Sequence, residues 1–247
     1  MPWRNVPLDK IEHKFDYRLV THTAGLPRSE LLERLRLQAS GNSVAVKPAF
    51  PVPPALARLL PSGGLVAGAA YSLGTAGALL LSLLAEPSRE GSWCGVIGMP
   101  ELGAEAAERA GVVLDRLALV PDPQGQWLAV TAALAEVVPV IAVRPGGPVR
   151  EKEATRLAAR LRDRGGVLLV HGDWPRAEAL LEVTEPRWSG MGAGYGYLER
   201  REVLVRATSK RFGGVRSVRL ELPAPNGRLL ALGAARGEHP DGLRVAG

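Results

Sequence analysis

The residues best placed to do chemistry are Gly74, Thr75, Ala76, Gly77, Ala78 and Leu79. They join a short apolar run at 65–71 to a second apolar run at 78–85. A buried strand, a loop of small residues and a buried helix form the frame of a phosphate-binding loop. A working loop of that kind reads GxxxxGK[ST], with lysine on the β- and γ-phosphates and a hydroxyl on magnesium. Here Gly77 is followed by Ala78 and Leu79, so lysine and hydroxyl are both missing. One reading is a frame that has lost nucleotide chemistry. A second is weak nucleotide binding through backbone N–H groups at the helix N-terminus. Standing alone, the stretch reads as an ordinary strand, turn and helix.

Other candidates are scattered. His171 lies two residues before Asp173, which suggests an acid–base pair, but no serine or cysteine nucleophile is positioned by sequence. The stretch 190–197 holds four glycines with Tyr195 and Tyr197. Those tyrosines could stack on single-stranded DNA, or the stretch could be a partner-docking loop or a long hairpin connection. Arg206, Lys210 and Arg211 form a basic cluster. On a strand, Arg206 and Lys210 share a face and Arg211 points to the other, giving a ridge for a phosphate backbone or an acidic partner. The four histidines are dispersed and Cys94 stands alone, so no metal-ligand spacing is present and no cofactor is implied.

The elements that must position these residues alternate. Strands are expected at 65–71, 93–99, 117–120, 138–143 and 167–171, and helices at 76–85, 104–110, 126–136 and 151–164. In the helix at 126–136, Leu128, Ala132 and Leu134 are expected inward. This alternation predicts an α/β fold with a mostly parallel sheet flanked by helices. Expected strands at 180–188, 202–209 and 215–222 add an antiparallel C-terminal extension. The chain divides into an N-terminal helical and linker segment at 1–54, a core at 55–222 and a loose basic tail at 223–247, in which 229–232 could form a short strand. An amphipathic helix at 30–39 follows an N-cap at Ser29, and four prolines within 40–54 read as a linker.

Net charge is +6, and residues 198–247 hold ten Lys/Arg against five Asp/Glu. That asymmetry suits nucleic acid, an acidic partner or a solvated face. The lone cysteine fits a reducing, cytoplasmic setting. The longest apolar run is far short of the roughly 20 residues of a membrane span, so no membrane partner is expected.

Taken in order, residues 55–222 resemble the RecA-like SulA/ImuA family, on its actinobacterial ImuA-prime side. Leu60-Pro61-Ser62-Gly63-Gly64-Leu65-Val66 is similar to the family's GLPxGRIVEI lead into the phosphate loop. Trp93-Cys94-Gly95-Val96-Ile97-Gly98-Met99 sits where the family has its CAFIDAE strand, and residues 110–120 resemble KLGVDIDNLLVSQP. The helix and strand at 126–143 and the basic run Arg206-Ala207-Thr208-Ser209-Lys210-Arg211 follow in the same order. The resemblance implies a RecA-like fold of the phosphate-loop type. It also marks departures. Arg144 follows the fourth strand where the family needs a magnesium-binding acid. Met99 or Pro100 falls at the water-activating glutamate, with Glu101 shifted along the chain. His171 ends the fifth strand, where a nucleotide-sensing glutamine is expected.

The resemblance therefore implies a non-catalytic pseudo-ATPase that neither hydrolyses nor tightly binds ATP. Its role would be that of an accessory subunit in a DNA-damage-induced translesion synthesis complex. The implied partners are a Y-family polymerase-like adaptor and an error-prone C-family DNA polymerase, with single-stranded DNA as a further contact and a cytoplasmic or nucleoid-associated location. The alternative is a SulA-like inhibitor of the tubulin-like division protein. The helix at 30–39 and the C-terminal tail are expected to act as partner-binding arms outside the core. Removal of 223–247 is then expected to leave thermal stability nearly unchanged.

Overall fold

The computed structural model describes residues 49–75, 77–189, 200–224 and 226–232. The expected helix at 30–39, Ala76, Tyr195 and Tyr197 lie outside the described residues. The architecture is mixed α/β, built on a large, mostly parallel sheet flanked by helices.

The chain enters through β1 (Ala49–Phe50), a short helix α1 (Pro54–Ala57) and β2 (Leu65–Val66), which pairs antiparallel with β1. Part of the expected linker is therefore folded. Val52 is buried, and Pro54 sits at the helix start, where its missing N–H costs nothing. Next come β3 (Ala70–Leu73), α2 (Ala78–Arg89), β4 (Cys94–Ile97), α3 (Ala104–Ala110) and β5 (Leu117–Val120). After them run α4 (Trp127–Leu134), β6 (Val140–Val143), α5 (Glu151–Arg164) and β7 (Val167–His171). Four strands close the described chain: β8 (Leu180–Ser189), β9 (Arg200–Ser209), β10 (Phe212–Glu221) and β11 (Leu230–Ala231).

The nine-stranded sheet has the order β11-β10-β9-β8-β3-β7-β6-β4-β5. From β8 to β5 neighbours run parallel, and from β8 to β11 they run antiparallel. Strands β3, β4 and β6 are buried at every position, as parallel strands covered on both faces must be. One face packs on α2 and α3, the other on α4 and α5.

The expected single strand at 65–71 is two strands. Gly68 adopts φ +82°, and its N–H donates to the carbonyl of Gly166 at 2.6 Å. A Cβ there would meet Arg162 Cγ at 2.8 Å, so only glycine lets the chain pass α5 and turn into β3. Tyr71 holds the two pieces together. Its hydroxyl accepts the N–H of Val66 at 2.9 Å and faces the carbonyl of Gly64 at 3.4 Å. Burial pushes the Tyr71 phenol up to about 12.

Helix α2 runs past the expected end, through Pro87 to Arg89, and its residues Leu79–Ala85 are all buried. In α4 the buried stripe is Trp127, Val130 and Thr131, spaced i, i+3, i+4, whereas Leu128, Ala132 and Leu134 are half-buried at its flank. Among the described residues no helix is long and apolar enough to cross a membrane.

Part of the expected loose tail is folded, and the short strand allowed at 229–232 is β11. Ala224 is buried, its N–H donates to the carbonyl of Arg228 at 2.7 Å, and β11 extends the sheet beside β10. Gly227 (φ +78°) presses on the end of α3, where a Cβ would lie 2.6 Å from Arg109 Cβ and 2.7 Å from the Arg109 carbonyl oxygen. Gly227→Ala should therefore cost about 1–3 kcal/mol and lower Tm by roughly 2–4 °C per kcal/mol. A thermal melt checks this, and an unchanged Tm would mean that residues beyond 222 are not part of the fold.

Candidate functional site

In open parallel sheets, ligands and chemistry gather at the carboxyl ends of the strands. That edge here is formed by the loops after β3, β4, β6 and β7. The central strand β3 delivers Gly74 and Thr75, both exposed, and Gly77 precedes the first turn of α2. The N–H of Gly74 is already engaged by the carbonyl of Leu181 on β8, at 2.9 Å. Ala78 is half-buried and Leu79 is 1% exposed. The first turn of α2 is thus hydrophobic core where a phosphate-binding helix presents lysine and hydroxyl.

The sheet order puts the ends of β4, β6 and β7 side by side, so three residues far apart in sequence meet. Arg144 follows β6. Its Nε donates to Nδ1 of His171 at 2.7 Å, and its Nη2 pairs with Glu101 from the loop after β4. Gly98 makes the approach possible, because a Cβ there would fall 2.7 Å from the Arg144 carbonyl oxygen. Since Nδ1 accepts a hydrogen bond, the imidazole is neutral and carries its proton on Nε2. Partial burial, with the Arg144 charge adding to it, holds the His171 pKa below the usual histidine range, while the negative Glu101 opposes. The hydrogen bond from Arg144 holds the Glu101 carboxyl below the usual carboxylate range.

The acid–base reading of His171 with Asp173 is not assembled. His171 turns to Arg144, and Asp173 is exposed. Ser72 Oγ accepts the backbone N–H of Trp174 at 2.9 Å, and burial pushes the Cys94 thiol up to about 12. Among the described residues no group of three or more His, Cys, Asp or Glu could hold a metal.

A cleft of about 550 Å³ opens beside the loop. Ala78 and Leu81 of α2, Leu102, Ala106 and Ala110 on and before α3, and Ala224 form its apolar wall. Trp188 and Arg201 stand at its rim, where the Arg201 guanidinium lies 5.6 Å from the centre of the Trp188 ring. Trp188 is 56% exposed. Sequence reading missed this residue, because nothing in the strand pattern distinguishes an outward tryptophan from a core one.

The expected basic ridge is broken up. Arg206 is exposed on β9, opposite Ser217 of β10 and Glu182 of β8. Strand β9 ends at Ser209, so Lys210 lies in the hairpin turn and not on the Arg206 face. Arg211 pairs with Glu178 at 2.7 Å.

Residues 58–176 match the family model described as the MT3502 N-terminal domain. Over 150 residues the chain is 35% identical to "Uncharacterized protein Rv3395c" of Mycobacterium tuberculosis (strain ATCC 25618 / H37Rv), an alignment covering 59% of this chain and 72% of that protein. The chain belongs to this family. The family match ends at Arg176, so it takes in the loop, α2 and the Glu101–Arg144–His171 network and stops before the antiparallel strands β8–β11.

The network makes stability depend on pH with a definite sign. His171 and Glu101 both have folded pKa values below their unfolded ones, so the unfolded chain binds more protons as pH falls. Stability is highest above the histidine range and declines as pH drops through it, with the Glu101 contribution lost further down. Melts at pH 7.5 and 5.5 should show a smaller acid-induced loss for His171→Asn than for the natural chain. Equal losses would contradict the network as drawn.

Proposed function

We propose that this chain is a RecA-like, non-catalytic docking subunit of a DNA-damage-induced translesion synthesis complex. The observation that carries the reading is Arg144. A nucleotide-hydrolysing frame needs an acid at that strand end to hold magnesium. A guanidinium there, tied to Glu101 and His171, repels a divalent cation. With the cationic and hydroxyl positions of the loop filled by Ala78 and Leu79, the frame retains its shape and has exchanged its chemistry for packing. A scaffold without chemistry of its own acts through its surfaces, and the exposed Trp188 beside Arg201 is of the residue types that dominate protein interfaces.

The resemblance in residues 55–222 supplies the complex: a Y-family polymerase-like adaptor and an error-prone C-family polymerase, bridged in the cytoplasm or at the nucleoid. The SulA-like reading shares the fold and differs in the partner, the tubulin-like division protein. Affinity capture of the tagged chain from its own cells after DNA damage separates them. Recovery of both polymerase-like proteins is the expected result. Recovery of the division protein without them would overturn the proposal in favour of the inhibitor.

A further inference from the structure

Among the described residues the nine-stranded sheet is capped at one edge only by the short β11. Strand β10 is ten residues long, and among the described residues its outer edge is met only by β11 at Leu220 and Glu221 and by the Leu232 N–H on the Arg219 carbonyl. The direction of the remaining backbone groups follows from two hydrogen bonds. The N–H of Leu222 donates to Arg201 on the β9 side, whereas the carbonyl of Arg219 accepts Leu232 on the β11 side. Backbone groups alternate along a strand. Val215 and Ser217 therefore aim their N–H and C=O outward, beyond the end of β11. Val215 is 51% exposed, and Arg216 and Ser217 are also exposed. Among the described residues nothing pairs with this side of Val215–Ser217, which leaves a template for another strand.

The hairpin's own charge is basic, with Glu182 of β8 across Arg206 on the side away from β10. From Val203 to Leu220 the sequence holds Arg206, Lys210, Arg211, Arg216 and Arg219 and no acid. Arg211 and Arg219 have ion pairs, with Glu178 and Glu185, and Arg216 stacks over Phe212 at 4.0 Å. Among the described residues Arg206 and Lys210 have none. Arg206 lies directly across the small Ser217, so its side chain can reach over Ser217 toward an added strand. Lys210 stands at the end of the same hairpin.

We infer that β10 is a docking edge at which an acidic, extended segment of a partner protein adds as a further strand along Val215–Ser217, with its carboxylates on Arg206 and Lys210. The inference rests on the reading of this chain as a docking subunit and names the surface and the chemistry of the partner. Its test uses the purified chain alone, so its failure is separate from a failure of the capture experiment.

The probe is a short fluorescein-labelled peptide in which Val or Thr alternates with Glu. Anisotropy should report micromolar binding, and hydrogen exchange should show slowed amides at Val215 and Ser217. Arg206→Glu with Lys210→Glu should weaken binding by about tenfold. Ser217→Pro should abolish it, at a position where an edge strand tolerates proline because the N–H points outward. If the proline variant does not fold, the charge variant carries the test. A chain ending at Leu232 should bind as well as the full chain. The inference is overturned by no binding, by binding without protection at 215 and 217, or by loss of binding in the chain ending at Leu232. It is equally overturned if a poly-dT oligonucleotide binds in place of the peptide and loses affinity in the charge variant.

Discussion

The conformation of the loop after β3 follows from the burial of α2. Seven successive residues, Leu79–Ala85, are enclosed on all sides, and the only polar one, Ser82, satisfies its hydroxyl on the carbonyl of Ala78 at 2.8 Å. A helix with no polar face must lie between the sheet and other apolar elements. It does so against β3, α1 and α3 within one core cluster. Each fully buried leucine contributes about 1.5–3 kcal/mol from apolar burial, so the helix cannot shift to re-expose its first turn. Leu79 belongs to that set, which makes the start of α2 part of the core. Gly74, just before it, is drawn against β8 through its hydrogen bond to Leu181.

The second constraint is electrostatic and sits at the ends of β7, β6 and β4. A parallel sheet directs its strand ends to one edge, and the order β4-β6-β7 brings Glu101, Arg144 and His171 within hydrogen-bonding reach. Arg144 places a guanidinium there. It organises an acid and a neutral imidazole around itself, which is the reverse of a carboxylate cluster built to hold a cation. The loop and the strand ends thus agree with the proposed reading: apolar Ala78 and Leu79 stand at one and the guanidinium of Arg144 at the other.

Much of the fold was legible in the sequence, because burial on both faces writes short apolar runs between amphipathic helices. The expected bounds of the strands at 117–120 and 167–171 and of the helix at 151–164 coincide with β5, β7 and α5, each bounded by glycine or charge. Departures came where a distant contact decides a local conformation. The break at Gly68 depends on Arg162, a residue 94 positions away. The ordering of the described tail depends on Gly227 meeting Arg109. The inward stripe of α4 is set by Trp127, at the very start of the helix, which no periodicity count inside the helix would favour. For the site, Glu101, Arg144 and His171 each drew notice singly. Their meeting needs the strand order, which is not written in any one segment. The split of Lys210 from Arg206 turned on a strand ending two residues before the basic run does.

The central claim is that this loop and helix have kept their shape and lost their nucleotide chemistry. The direct measurement is titration calorimetry of the purified chain with ATP and magnesium up to millimolar concentration. The account predicts no resolvable heat of binding. A micromolar dissociation constant, about −8 kcal/mol, would contradict it.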